Sequence, residues 1–296
     1  MFDFFGMKPR REDYAAAAAA LSDGAAPVQS QVFGHSMLSE ELTVFRLGEG
    51  RRRILLVGTH HGTEWLCTGL LFRFLHDLCH GYTMRQTCGG IDLRFLLSRI
   101  TFFVVPTVNP DGARMACFGE PLPPLEKRQI GMNGGTGFLT WQANARGVDL
   151  NHNYDYAHAA YKELERSLPV GAGKALYAGE FPESEPETHA LAGLVRSLAP
   201  SVVLSLHLGG DVLYSAPDTP AVGRMADRLS TALSCRRIRA TGTDAYGGFC
   251  DYTGYTLGIP SFTPVLGKGE NPPPGTAADM LYARLWPSLV RFSASF

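Results

Sequence analysis

Runs of unbroken apolar residues alternate along this chain with stretches whose apolar positions recur at helical spacing. The run Ile54-Leu55-Leu56-Val57 has the composition of a strand buried on both faces, and Leu66 to Leu75 repeats apolar residues as a helix does. Ile100 to Val105 and Val202 to Leu208 are two further buried strands, and Ile259 to Leu266 is a last inner one. Val28 to Val32 and Leu42 to Leu47 read as an edge hairpin leading inward. Helices are expected over Ala15 to Leu21, which Ser22-Asp23-Gly24 and then Pro27 end, from about Glu183 to Leu198, over residues 221 to 233, and over Ala277 to Phe292. Strands separated by helices predict parallel crossovers and hence an α/β fold. Pro121 to Gly137 carries three prolines and four glycines with little periodicity, and is expected to be a long surface loop. No repeat or linker marks a boundary, so residues 1–296 are expected to form one domain.

Composition narrows the partners. Lys+Arg 27 against Asp+Glu 28 gives a formal net charge of -1, without a run of like charge that would suit nucleic acid or an anionic membrane. No stretch reaches the roughly eighteen apolar residues of a membrane span. The basic residues near the N-terminus follow its apolar part, the reverse of a secretion signal. Six cysteines without C-x-x-C pairs fit reduced thiols, and a cytoplasmic location is expected.

The chemistry centres on Gly58-Thr59-His60-His61-Gly62-Thr63-Glu64-Trp65, where a strand hands over to a helix. His61 and Glu64, three apart on a first helical turn, share a face, so an imidazole nitrogen and a carboxylate can meet at one point. His60 and Glu64 form a competing pair. Zinc accepts both ligand types and needs a third protein ligand in a catalytic site. His207 supplies it, at the C-terminal end of a buried strand, where open α/β sheets place ligands.

Four motifs in order then resemble the carboxypeptidase A family of zinc peptidases. They are the Thr59 to Glu64 segment, Asn109-Pro110-Asp111-Gly112, Arg146-Gly147-Val148-Asp149-Leu150-Asn151-His152-Asn153, and Ser205-Leu206-His207. The resemblance implies a mixed, mostly parallel sheet flanked by helices on both faces, and one zinc ion held by His61, Glu64 and His207. It implies that Arg146 polarises the scissile carbonyl and that Asn151 holds the substrate's terminal carboxylate. The Gly267 to Pro272 segment looks most like the bacterial branch that cleaves γ-D-glutamyl-diaminopimelate bonds in cell-wall peptides. In that branch a tyrosine shortly before a Gly-Gly pair closes the site, here Tyr246, with Tyr255 as the fallback. Cys250 falls in the stretch that shapes the side-chain pocket.

Two positions depart from the family pattern. Val265 stands where the family carries the glutamate that moves the catalytic proton, and Glu270 is the nearest carboxylate in sequence. His152 stands where the family has an arginine, replacing a bidentate carboxylate clamp by a ring that is mostly neutral at pH 7. Three functions follow as expectations: an impaired zinc carboxypeptidase-type hydrolase, a zinc-containing peptide-binding protein without turnover, and a deacylase or esterase on the same scaffold. A peptide or cell-wall peptide is the expected partner.

Overall fold

The computed structural model describes residues 2–21, 26, 28–268 and 275–296. Glu270 lies outside the described residues, as do Ser22 to Gly24 and Pro27, expected to end the first helix.

Among the described residues the centre is an eight-stranded mixed sheet. Its strands are β1 (Val28–His35), β2 (Glu41–Leu47), β3 (Arg52–Gly58), β4 (Ile100–Val105), β5 (Val202–Leu208), β6 (Val212–Ala216), β7 (Arg236–Arg237) and β8 (Ser261–Leu266). They lie in the order β1-β2-β4-β3-β5-β8-β6-β7. The inner strands β4, β3, β5 and β8 run parallel, whereas β1, β2 and β6 are paired antiparallel to their inward neighbours.

Period-two alternation explains the layers. Ile54 and Leu56 of β3 join one apolar cluster with Leu70, Leu71 and Phe74 of α2 (Leu66–Thr83), while Leu55 and Val57 join another with Leu191 and Val195 of α7 (Pro186–Leu198). Helices therefore cover both faces, as the fully buried β5 requires. Each such buried aliphatic side chain contributes roughly 1.5–3 kcal/mol. The register sets Gly58 of β3 opposite Leu206 of β5, which brings the ends of those two strands together. Val265 of β8 lies opposite His207.

One expectation is corrected. The Pro121 to Gly137 segment contains a helix, Glu126–Asn133, closed by Gly134 at φ 69°. It lacks an apolar stripe because a polar residue anchors it: the fully buried Gln129 accepts from Leu122 N at 2.7 Å and donates to the Ala145 carbonyl at 3.1 Å.

The start of α7 buries acid. Pro186 opens the helix, and the buried Glu187 accepts from Met37 N at 2.9 Å, tying α7 to the turn after β1. Burial, with Asp111 and Glu185 nearby, raises its carboxyl to about 8, and burial also raises Asp111 to about 6. The folded state thus keeps a proton on Glu187 that the unfolded chain releases in the ordinary carboxylate range. Stability is accordingly lost as pH rises from that range through about 8, by up to about 1.4 kcal/mol per pH unit inside the window. Denaturant unfolding between mildly acidic and alkaline pH should show that decline, and Glu187→Gln should flatten it.

Candidate metal centre

β3 ends at Gly58, and Thr59 follows with φ 55°, a left-handed conformation rarely adopted by a β-branched residue. The buried Thr59 Oγ1 pairs with Thr68 Oγ1 at 2.9 Å, holding the turn against α2. Asn109 locks it from the other side. Its Nδ2 donates to the carbonyls of His60 (3.0 Å), Gln142 (3.2 Å) and Ala143 (3.1 Å), its backbone N donates to Thr59 O at 3.0 Å, and its Oδ1 accepts from Gly112 N at 2.9 Å. Gly62 is required here by crowding: a Cβ would stand 2.4 Å from Gly112 O and 2.6 Å from Trp141 O.

The turn sends the two adjacent histidines to different places. His60 is fully buried, with Nε2 2.9 Å from Tyr154 Oη and Nδ1 3.3 Å from Ser205 Oγ, and it stacks on His207 with ring centroids 5.7 Å apart. Burial, then the cationic forms of His207 and His61, hold its pKa well below the ordinary range. His60 is therefore a neutral packing residue, and the competing His60/Glu64 pair does not form.

His61, Glu64 and His207 converge instead. His61 Nδ1 lies 3.0 Å from Glu64 Oε1 and His207 Nδ1 lies 2.9 Å from Glu64 Oε2. One ligand atom from each falls within 4.8 Å of the others. The second contact is short, yet Glu64 Oε2 is buried without a hydrogen bond of acceptable angle. A nitrogen and a carboxylate oxygen that approach without a hydrogen bond between them suit a shared third body. A soft-to-borderline cation that takes imidazole and carboxylate fits this donor set.

The far nitrogens are also engaged. His61 Nε2 lies 3.4 Å from Asp149 Oδ1, and His207 Nε2 lies 3.3 Å from Ser205 Oγ. Asp149 is fixed by the backbone N–H groups of Asn151 (3.2 Å) and Leu176 (3.0 Å). Such partners orient ligating histidines and raise their basicity. Burial would raise the Glu64 carboxyl, but His207 and His61 outweigh it and bring it down to about 2. Burial likewise opposes the shift of His61, whose pKa Glu64 and Asp149 nevertheless hold well above its ordinary value.

The cluster opens on a cavity of about 220 Å³. Asn151, His152, Cys250 and Val265 line it. Arg146 is not among the lining residues; its Nε lies 3.4 Å from Glu185 Oε2, because a carboxylate with no exposed surface needs a cationic partner. Gln142 lines the cavity instead. Tyr246 faces a neighbouring hollow, and its carbonyl lies 3.1 Å from His152 Nδ1. Sequence reasoning missed Asp149, Ser205 and Gln142, although all three stand inside or beside quoted motifs. It also missed Asp244 and Asp251, which line the cavity too. Burial and then Asp244 raise Asp251 to about 7.

Residues 20–283 match the model of a zinc carboxypeptidase family. The chain is 31% identical over 261 residues to gamma-D-glutamyl-L-diamino acid endopeptidase 1 of Lysinibacillus sphaericus, covering 86% of this chain and 64% of that protein. It is 28% identical over 233 residues to murein peptide amidase A of Escherichia coli K12, covering 76% of each. The chain thus spans about two thirds to three quarters of the length of these relatives. In fold it resembles bovine thrombin-activatable fibrinolysis inhibitor, at TM-score 0.74 and 19% identity over 99% of this chain and 98% of that one. It also resembles the murein-tripeptide amidase of Escherichia coli O157, at TM-score 0.57 and 21% identity over 92% and 95%.

Asp149→Asn keeps the shape beside His61 Nε2 and removes the charge. Zinc affinity, measured by chelator competition, should fall about 10–100-fold without loss of the fold.

Proposed function

The chain belongs to the zinc carboxypeptidase family, and from that membership we propose that it is a zinc-dependent hydrolase of peptide amide bonds, including those of cell-wall peptides of the γ-D-glutamyl-diaminopimelate type. The observation that carries this reading is the convergence of His61, Glu64 and His207 on one point at the floor of an open cavity. The likeness to an endopeptidase and an amidase named for cell-wall substrates supports the substrate class.

The residues divide the work as follows. His61, Glu64 and His207 would hold one zinc ion, which would supply Lewis-acid polarisation and lower the pKa of water. Water adds across the amide: the acyl side leaves as a carboxylic acid, and the proton passes to the departing nitrogen. Gln142 lines the cavity where Arg146 does not, and its amide is the neutral side-chain donor we assign to the oxygen on which charge develops. As a neutral donor it gives less than a guanidinium would. Asn151 accepts from Phe249 N at 3.2 Å through Oδ1, which fixes its amide and leaves Nδ2 to donate to substrate.

His152 has a defined polarity. It stacks on Tyr161 with centroids 4.3 Å apart, and its Nδ1 must donate to the Tyr246 carbonyl, which can only accept. In the neutral ring Nε2 is then an acceptor, suited to an N–H of the substrate rather than to a carboxylate.

Val265 has no atom that can carry a proton. Among the described residues lining the cavity, Asp251 is the carboxyl raised close to neutrality, and it takes that role. Because its pKa is raised to about 7, its ionised fraction grows as pH passes that value, so kcat/KM should climb as pH rises through about 7.

A second reading, a zinc-containing peptide-binding protein that does not turn over, is favoured by the apolar Val265 on the cavity wall. Hydrolysis of a γ-D-glutamyl-diaminopimelate peptide and a mixed panel by zinc-loaded protein separates the two. Under the hydrolase reading the wild type releases product, Asp251→Asn abolishes the ionisation near neutrality, and Val265→Glu accelerates turnover about 10²-fold or more. Calorimetric binding without product from the wild type, together with turnover by Val265→Glu, establishes the second reading. Failure of both proteins to cleave any peptide would sink the hydrolase assignment.

A further inference from the structure

The cavity above the metal centre does not end at its far wall. Tyr214, Ala240 and Asp251 line it, and the same three residues line a second hollow of about 610 Å³. Tyr214 is anchored at this junction, its hydroxyl donating to Asp244 Oδ2 at 3.1 Å. The two spaces therefore meet across one shared wall, and the outer one is nearly three times the about 220 Å³ of the inner.

Their chemistry differs. Among its described lining residues the inner cavity has no lysine or arginine, and its charged groups besides the histidines are Glu64, Asp149, Asp244 and Asp251. The outer hollow carries Arg237 and Arg239 beside Asp218 and the shared Asp251, so its cations balance its carboxylates, and four tyrosines, 156, 214, 246 and 255. Tyr156 and Tyr255 stack with centroids 5.0 Å apart and an interplanar angle of 18°, giving a ready-made aromatic wall. Tyr255 is 44% exposed. Arg237 pairs with Asp227 at 3.1 Å and Arg239 with Asp218, both at the surface, where such pairs hold a guanidinium only loosely. Either arginine can turn to a substrate carboxylate with little lost.

We propose that the outer hollow is a binding site for the continuation of the substrate beyond the residue whose nitrogen departs, a peptide segment ending in a carboxylate. An exopeptidase closes the leaving side around one terminal residue and clamps its carboxylate with a cation beside the scissile bond. Here that position holds His152, with its ring acceptor, and the guanidinium groups stand one cavity further out. A hollow of about 610 Å³ is also larger than the end of one side chain requires. The geometry fits cleavage within a longer or branched peptide, with the tyrosine faces covering the extension and Arg237 and Arg239 receiving its acid end.

This rests on the hydrolase reading for the scissile bond but is tested by binding. Two peptides share the same γ-D-glutamyl amide and the same diamino acid on its leaving side. In one the diamino acid is terminal; in the other it is extended by two residues ending in a free carboxylate. Calorimetry on the zinc-loaded full chain should give about tenfold tighter binding of the extended peptide. Arg237→Ala and Arg239→Ala, singly and together, should remove most of that advantage while leaving the affinity for the terminal peptide unchanged. Equal affinities, or an advantage that these variants do not touch, overturn the site. An advantage that persists without product release keeps the site and sinks the hydrolase reading. Turnover of the terminal peptide without any advantage does the reverse, and binding of neither peptide overturns both.

Discussion

Everything at the candidate centre hangs on how the chain leaves β3. A left-handed Thr59 costs of order 1–3 kcal/mol, and it persists because the surroundings leave no alternative. Asn109 satisfies three carbonyls from two distant segments and pins the turn through its own backbone. Gly62 admits backbone where no side chain could fit. The consequence is directional: one histidine is driven into the core and its neighbour into the cavity. Since β5 is the parallel neighbour of β3, the same turn brings His61 and Glu64 to His207 at the adjoining strand end.

Charge follows from that convergence. Two imidazoles beside Glu64 hold it ionised despite complete burial, and Asp149 extends the arrangement to the far side of His61. The cavity consequently concentrates carboxylates, and guanidinium groups are engaged elsewhere. Arg146 compensates Glu185, while Arg237 and Arg239 lie across the junction at Asp251. Carboxylates thus line the cavity beside the His61, Glu64 and His207 cluster, and the two arginines line the hollow beyond it.

The inner strands were legible in the sequence because burial on both faces writes itself as continuous apolar runs; Ile100–Val105 and Val202–Leu208 fall where the pattern puts them. The three converging side chains were legible for the related reason that strand ends and a first helical turn fix where a side chain can go. What escaped was organised by polar contacts. Glu126–Asn133 is anchored by one buried amide, so no apolar period marks it. Arg146 sits in a motif that suggests catalysis, but its neighbour in space is Glu185, about forty residues away in sequence, and no local pattern reveals such a partner. Asp149 and Gln142 were in view as letters; their roles depend on which way the loop faces.

Val265 stands where the site is least coupled. His61, Glu64 and His207 each contact one another, and through Asp149, Ser205, His60 and Tyr154 they are joined to the core beneath them. Replacing any of them leaves buried polar partners unmatched, which costs about 1–3 kcal/mol for each orphaned group. Position 265 carries no such obligation. Its backbone pairs with β5 and β6 as any strand residue would, and its side chain meets the cavity and Gly210. A valine there satisfies the strand as well as a glutamate could. The buried partners of His61, Glu64 and His207 thus tie that cluster to the fold itself, whereas the side chain at 265 is free of any such tie.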